Sequence, residues 1–243
     1  MRDHNADWSV RCEPAQVRGL FWAWTMSVTV GEFAGFCVPA IVGALIWDQT
    51  APVAFAVLVA AGSLEGAVLG WSQARVLRRP LPSLSVRHWV VGTSVAAAVA
   101  WSIGMLPSTA YDLWSRWPVP LTVLAAAGVG VALLCSIGAA QWLELRRHVP
   151  RAGRWVPATA AAWCAGLVVF SAVTSPLWQP GQPAVLIAAI GAVGGLLMAV
   201  TVAAGTGWAL IRLLHSAGAA DLGVASETGA QLSTPDHMWK GAS

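Results

Sequence analysis

The chain has 243 residues, 57% of them hydrophobic and 10% charged, with a formal net charge of +3 and a mean hydropathy of +0.65. Soluble domains carry about 25% charged residues, so this composition excludes both a disordered chain and a soluble globular domain. It leaves an all-α integral membrane protein, a polytopic helix bundle.

Residues 1–19 are polar and mixed in charge. They lack the basic start, short apolar core and small-residue cleavage site of a signal peptide, and read as a cytoplasmic N-terminal segment. Six apolar stretches follow, at Leu20–Trp47, Pro52–Leu77, His88–Leu106, Pro118–Leu145, Trp155–Ser175 and Pro183–Leu214. A hydrocarbon core of about 30 Å takes about 20 helical residues, so each is expected to span a membrane. Proline opens the second, fourth and sixth spans, where a missing N–H costs little. Pro39 is expected to kink the first. The transmembrane domain is thus predicted over 20–214, with 215–243 as a flexible cytoplasmic tail.

The basic residues set the orientation. Arg2, Arg11, Arg18, Arg75, Arg78, Arg79, Arg87, Arg146, Arg147, Arg151, Arg154, Arg212 and Lys240 fall on one side of the spans, and Arg116 alone on the other. By the positive-inside rule both termini are expected in the cytoplasm, in a multi-pass protein of the inner (plasma) membrane. Most of the 15 tryptophans, among them Trp24, Trp89 and Trp155, lie near span ends and read as interfacial belts. Trp101 and Trp163 fall deeper.

The chain also repeats itself. Gly70-Trp-Ser-Gln73-Ala-Arg-Val-Leu77-Arg78-Arg79 matches Gly138-Ala-Ala-Gln141-Trp-Leu-Glu-Leu145-Arg146-Arg147, and a fainter copy carries Trp208, Ile211 and Arg212. Trp89-Val-Val-Gly-Thr93 matches Trp155-Val-Pro-Ala-Thr159, and Phe21-Trp-Ala-Trp-Thr25 fits more loosely. Three hairpins are predicted (about 20–79, 88–147 and 155–214), sharing one orientation and arranged about a pseudo-threefold axis along the membrane normal. The Gln-Trp-Leu-x-Leu-Arg-Arg segment followed by a Trp-x-x-x-Thr helix start resembles a family of small, uncharacterised bacterial multi-pass membrane proteins. The resemblance implies a membrane bundle and carries no activity with it.

Gly31 and Gly35, Gly62, Gly66 and Gly70, and Gly191 and Gly195 recur at four-residue spacing, which lets helix backbones approach closely in lipid. Cys12, Cys37, Cys135 and Cys164 have no metal-ligand spacing and imply no disulfide.

Two carboxylates stand out. Glu32 and Glu65 lie near the middle of the first and second spans, where an acid costs about 2.5–3.5 kcal/mol on insertion scales. Such a residue normally faces the bundle interior. Glu32 shares a helical face with Thr25, Thr29, Gly35 and Pro39, a polar stripe rising from the cytoplasmic end. Glu65 shares one with Gly62, Gly66 and Leu69, and so points at a close helix contact. The two spans form one hairpin, so the acids are expected at similar depth. A shared proton would let them serve as a relay, a cation site or a general acid. On the repeat register above, Glu32 aligns with Ala100 and Gly166, and Glu65 with Leu133 and Ala199. A pure packing role should recur in all three hairpins, yet the acids do not.

The cytoplasmic rim carries Arg78, Arg79, Arg146, Arg147 and Arg212, beside Arg87 and Arg154. These are expected to meet anionic lipid headgroups, and their sharper reading is a phosphate-binding ring. His88, His148 and His215 read as surface residues on that rim, and Gln73 and Gln141 as helix bridges near it. No catalytic, nucleotide or metal motif occurs, no cofactor is implied, and arginines confined to a membrane face do not suggest nucleic acid. Self-association is left open. Three function classes remain: a proton, cation or solute carrier using Glu32 and Glu65; a membrane-embedded enzyme on a lipid or isoprenoid, with an acid as proton donor and Trp101 and Trp163 steadying a carbocation; and a non-catalytic scaffold.

Overall fold

In hydrocarbon a chain of Ala, Val, Leu and Gly satisfies its N–H and C=O groups within its own segment only as an α-helix. The computed structural model describes the backbone of residues 14–232 and the side chains of residues 14–216. It contains six helices long and apolar enough to cross a membrane. They are α1 (Pro14–Leu45), α2 (Ala51–Leu77), α3 (Val86–Gly104), α4 (Val119–Leu145), α5 (Trp155–Leu177) and α6 (Ala184–Leu232). No strand occurs among the described residues. Arg2, Arg11, Cys12, Trp8, Trp239 and Lys240 lie outside them, and with them parts of the charge count and of both tail readings.

Helix ends follow local chemistry. The Ser85 hydroxyl accepts the His88 N–H at 3.3 Å and caps α3. Prolines occupy the first turns of α2 and α4. The described part of α1 opens at Pro14, so the helix extends at least six residues beyond the expected Leu20. It continues as one helix through Pro39. Between α3 and α4 the chain makes two four-residue helical turns, Leu106–Thr109 and Tyr111–Trp114.

Each helix packs against the one before and the one after it in the chain, and α6 returns to pack against α1. The six helices close into a ring. Glycines set the spacing at the seams. A Cβ at Gly66 would collide with Ala97 and come within 2.8 Å of the Thr93 carbonyl oxygen on α3. A Cβ at Gly138 would lie 3.1 Å from Val156 Cα on α5, and one at Gly195 2.6 Å from the Phe36 ring on α1.

The ring is not uniform along its length. At the arginine-rich end, Leu20, Trp24, Leu77, Leu84, Trp89, Leu145, Trp155 and Leu210 form one contiguous buried core. At the other end the wall is loose. The buried residues of α4 all fall between Ile137 and Leu145. Val119, Leu121, Val123, Leu124 and Val131 are exposed, and Gly128 and Gly130 have nothing near them.

This asymmetry separates glycines by position. Gly66→Ala is expected to destabilise the protein by about 1–3 kcal/mol, because the obstructing atoms are backbone and a neighbouring Cβ. Gly128→Ala adds a methyl to open space in a helix interior and is expected to be neutral, or stabilising by up to about 1 kcal/mol. Thermal unfolding midpoints in detergent check both.

Candidate functional site

A layer of indoles and amides closes the arginine-rich end. Trp89 on α3 donates its Nε1–H to Gln73 Oε1 on α2 at 3.2 Å. Trp155 on α5 donates to Gln141 Oε1 on α4 at 2.9 Å. Trp24 on α1 donates to Thr206 Oγ1 on α6 at 3.1 Å. In each case a tryptophan on an odd-numbered helix meets a polar side chain on an even-numbered neighbour. Gln141 Nε2 also donates to Gln73 Oε1 at 2.7 Å and to Thr93 Oγ1 at 3.1 Å. The Trp24 and Trp155 rings meet edge to face at 6.0 Å, and Trp89 and Trp155 are 6.4 Å apart.

These three tryptophans are at most 1% exposed, so the interfacial-belt reading does not hold for them. An indole suits a membrane interface or a core with an acceptor in reach, and here the acceptors are internal. Trp22, Trp47, Trp71 and Trp208 remain exposed, as a belt requires. The expected bridging role of Gln73 and Gln141 is seen in their mutual hydrogen bond.

The layer also fixes a different register from the one expected. Trp24, not Phe21, stands with Trp89 and Trp155. Eight residues from the layer, about 12 Å along each helix, lie Glu32, Glu65, Ala97, Leu133, Trp163 and Met198, one from each helix. All six line a single cavity of about 330 Å³.

Glu32 and Glu65 are the charged groups of that cavity. Glu65 is 8% exposed, and its Oε2 accepts the Trp101 Nε1–H at 2.8 Å. Two glycines make room for this pair. A Cβ at Gly62 would collide with the Trp101 indole, and one at Gly35 would lie 3.1 Å from the Glu65 carbonyl oxygen. Glu32 has no exposed surface, and neither carboxyl oxygen has a hydrogen-bond partner. Nothing beside it offsets the cost of a charge.

Thr25 and Thr29 continue the line. Their hydroxyls are buried without a partner, as is that of Thr159 on α5, whereas Thr93 and Thr206 bond back to the carbonyls of Trp89 and Val202 four residues earlier, at 2.8 and 2.7 Å. Thr25, Thr29 and Glu32 occupy positions i, i+4 and i+7, one face of α1. Three unsatisfied polar groups thus run from the level of the indole layer to the floor of the cavity.

The rim arginines are placed differently. Arg78, Arg79, Arg146, Arg147 and Arg212 are all exposed. Arg146 and Arg212 lie over Trp142 and Trp208 of their own helices, at 4.9 and 3.7 Å, and Arg75 lies over Trp71 at 4.5 Å. Arg147 donates to Glu144 Oε2 at 3.0 Å. Arg87 and Arg147 border one cleft and Arg154 and Arg212 another. Glu144 was not singled out from the sequence. It accepts the Ser85 N–H at 2.9 Å and His148 Nε2 at 3.1 Å, tying the α2–α3 connection to the end of α4. Its signal was the Glu-x-x-Arg-His spacing, which puts all three side chains on one helix face.

The exposure difference predicts chemical selectivity. A hydrophobic carbodiimide, which reacts with carboxyl groups reached from an apolar space, is expected to label Glu65 and leave Glu32 unmodified. Peptide mass spectrometry reads the site. Label should disappear in Glu65→Gln and persist in Glu32→Gln.

No family model, curated protein or solved structure matches the chain.

Proposed function

We propose that the bundle is a small carrier that moves protons, or a cation in their place, by way of Glu32 and Glu65. The observation that carries this reading is the Glu32 carboxyl, buried with both oxygens unpartnered at the floor of a cavity to which all six helices contribute. Glu65 faces the cavity, Glu32 lies behind it, and Thr29 and Thr25 lead on toward the opposite end. A proton taken up at Glu65 passes to Glu32 and leaves along the threonine hydroxyls when the indole layer loosens.

The wider arrangement belongs to the same proposal. Three like-oriented hairpins make the ring, the arginine-rich end lies in the cytoplasm of a plasma membrane, and the exposed arginines contact anionic headgroups. The cavity then opens away from the cytoplasm. A second reading has one observation in its favour: Trp101 and Trp163 line the same cavity as the acids, as a membrane-embedded isoprenoid enzyme with a carboxyl proton donor requires.

Proton flux in proteoliposomes under an imposed potential tests the carrier. Wild type is expected to conduct, and Glu32→Gln and Glu65→Gln to lose at least about tenfold of the flux. Thr29→Val should slow it several-fold without abolishing it. Flux equal in all four proteins, each with a normal unfolding midpoint, would sink the reading.

Orientation has its own test in a cysteine-free background. An impermeant maleimide added to intact cells should label Ser115→Cys. Pro82→Cys should react only after permeabilisation.

A further inference from the structure

The cavity floor and its walls differ in kind. The floor carries two carboxyl groups. The walls carry the rings of Phe36, Trp101, Trp163 and Phe170, and the rest of the lining is aliphatic, glycine or methionine. The hydrogen-bonding side chains of the lining are Glu32, Glu65 and the two indoles, and the Trp101 N–H already serves Glu65.

That inventory discriminates among ligands. A sugar or a free amino acid needs several donors and acceptors around it, and this lining leaves too few. An anion meets two acids. A hard metal cation takes six or more oxygen ligands. The lining side chains offer only the four carboxyl oxygens of Glu32 and Glu65, one of them engaged by Trp101. A neutral hydrocarbon fits the walls and brings the carboxyl groups no counter-charge. An organic cation answers both parts. Its charge meets the acids, its body meets the rings, and aromatic faces attract a desolvated ammonium group. The cavity of about 330 Å³ is at the small end of ligand pockets, which run from about 300 to 1,000 Å³, so the ligand is compact.

We propose that this cavity is a binding site for a compact apolar organic cation, a tertiary or quaternary ammonium with a hydrocarbon or single-ring body. Its charge sits at Glu65, with Glu32 behind it, and its body against Trp101, Trp163, Phe36 and Phe170. The proposal rests on the carrier reading of the carboxyl pair and names the substrate class. The indole layer blocks the arginine-rich end, so the cation enters from the other end, where the first half of α4 is loosely packed.

The test uses the purified full-length protein in detergent and radiolabelled benzyltrimethylammonium. Saturable binding is expected. The neutral carbon isostere neopentylbenzene should compete at least about tenfold more weakly, and sodium at equal concentration not at all. Glu65→Gln should weaken binding at least about tenfold, and Trp163→Leu several-fold, with each variant's unfolding midpoint measured in parallel. The comparison of cation with isostere needs no variant, so a misfolded mutant leaves the test decisive. Equal competition by the isostere, or full affinity in a folded Glu65→Gln, overturns the proposal. Absence of binding alongside carboxyl-dependent proton flux overturns the organic-cation assignment and leaves the proton pathway standing. Carboxyl-dependent binding with no flux in any sample supports the site and overturns the carrier.

Discussion

A hydrogen-bond donor in hydrocarbon must find its acceptor inside the protein, and three indole N–H groups impose that condition here. Trp24, Trp89 and Trp155 each reach an acceptor on another helix: Thr206, Gln73 and Gln141. These pairs join α6 to α1, α2 to α3 and α4 to α5. The bond between Gln141 and Gln73 then crosses between the first two hairpins. Interhelical hydrogen bonds in membranes average only about 0.6 kcal/mol each by direct measurement. Their effect here is therefore more on register than on stability. A slip of one helix by a single residue would strand an indole donor without an acceptor.

Register is what places the acids. With the layer fixed, Glu32 and Glu65 reach one cavity, and glycines at positions 35 and 62 admit Glu65 and its Trp101 partner. The other four helices bring Ala97, Leu133, Trp163 and Met198 to the same cavity. The ring thus has an acidic side, formed by α1 and α2, facing an apolar and aromatic side. A packing device that recurred around the ring would not confine its polar groups to one hairpin. The unsatisfied Thr25 and Thr29 hydroxyls lie on that same hairpin, and one more unsatisfied hydroxyl, Thr159, lies on α5.

The helices and the acids were legible in the sequence because hydrophobicity and its interruption are local properties. The six apolar runs correspond to six helices, and Glu32 and Glu65 stood out as charges within them. Closure of the ring by α6 against α1 has no local signature. Nor did the role of Trp24. Trp22 and Trp24 lie two residues apart, both near a span end, and only packing decides which turns inward. The acceptor for Trp24 is Thr206, where the corresponding residues of the other pairs are glutamines, so no repeated motif pointed to it. The tryptophan surplus misled for a related reason, since belt and core draw on the same side chain.

The three stacks of arginine on tryptophan, Arg75 on Trp71, Arg146 on Trp142 and Arg212 on Trp208, add a mechanical consequence. In the proposed orientation each couples a charge at the headgroup level to an indole that prefers the same depth. Spaced around one end of the ring, they pin that end to a fixed level in the bilayer. Hydrophobic mismatch is taken up by tilt or local deformation where a helix is free to move. Among the described residues the other end carries no such stack, and there α4 has no buried residue before Ile137. Bilayer thickness therefore acts on that end of the ring while the stacked end keeps its level.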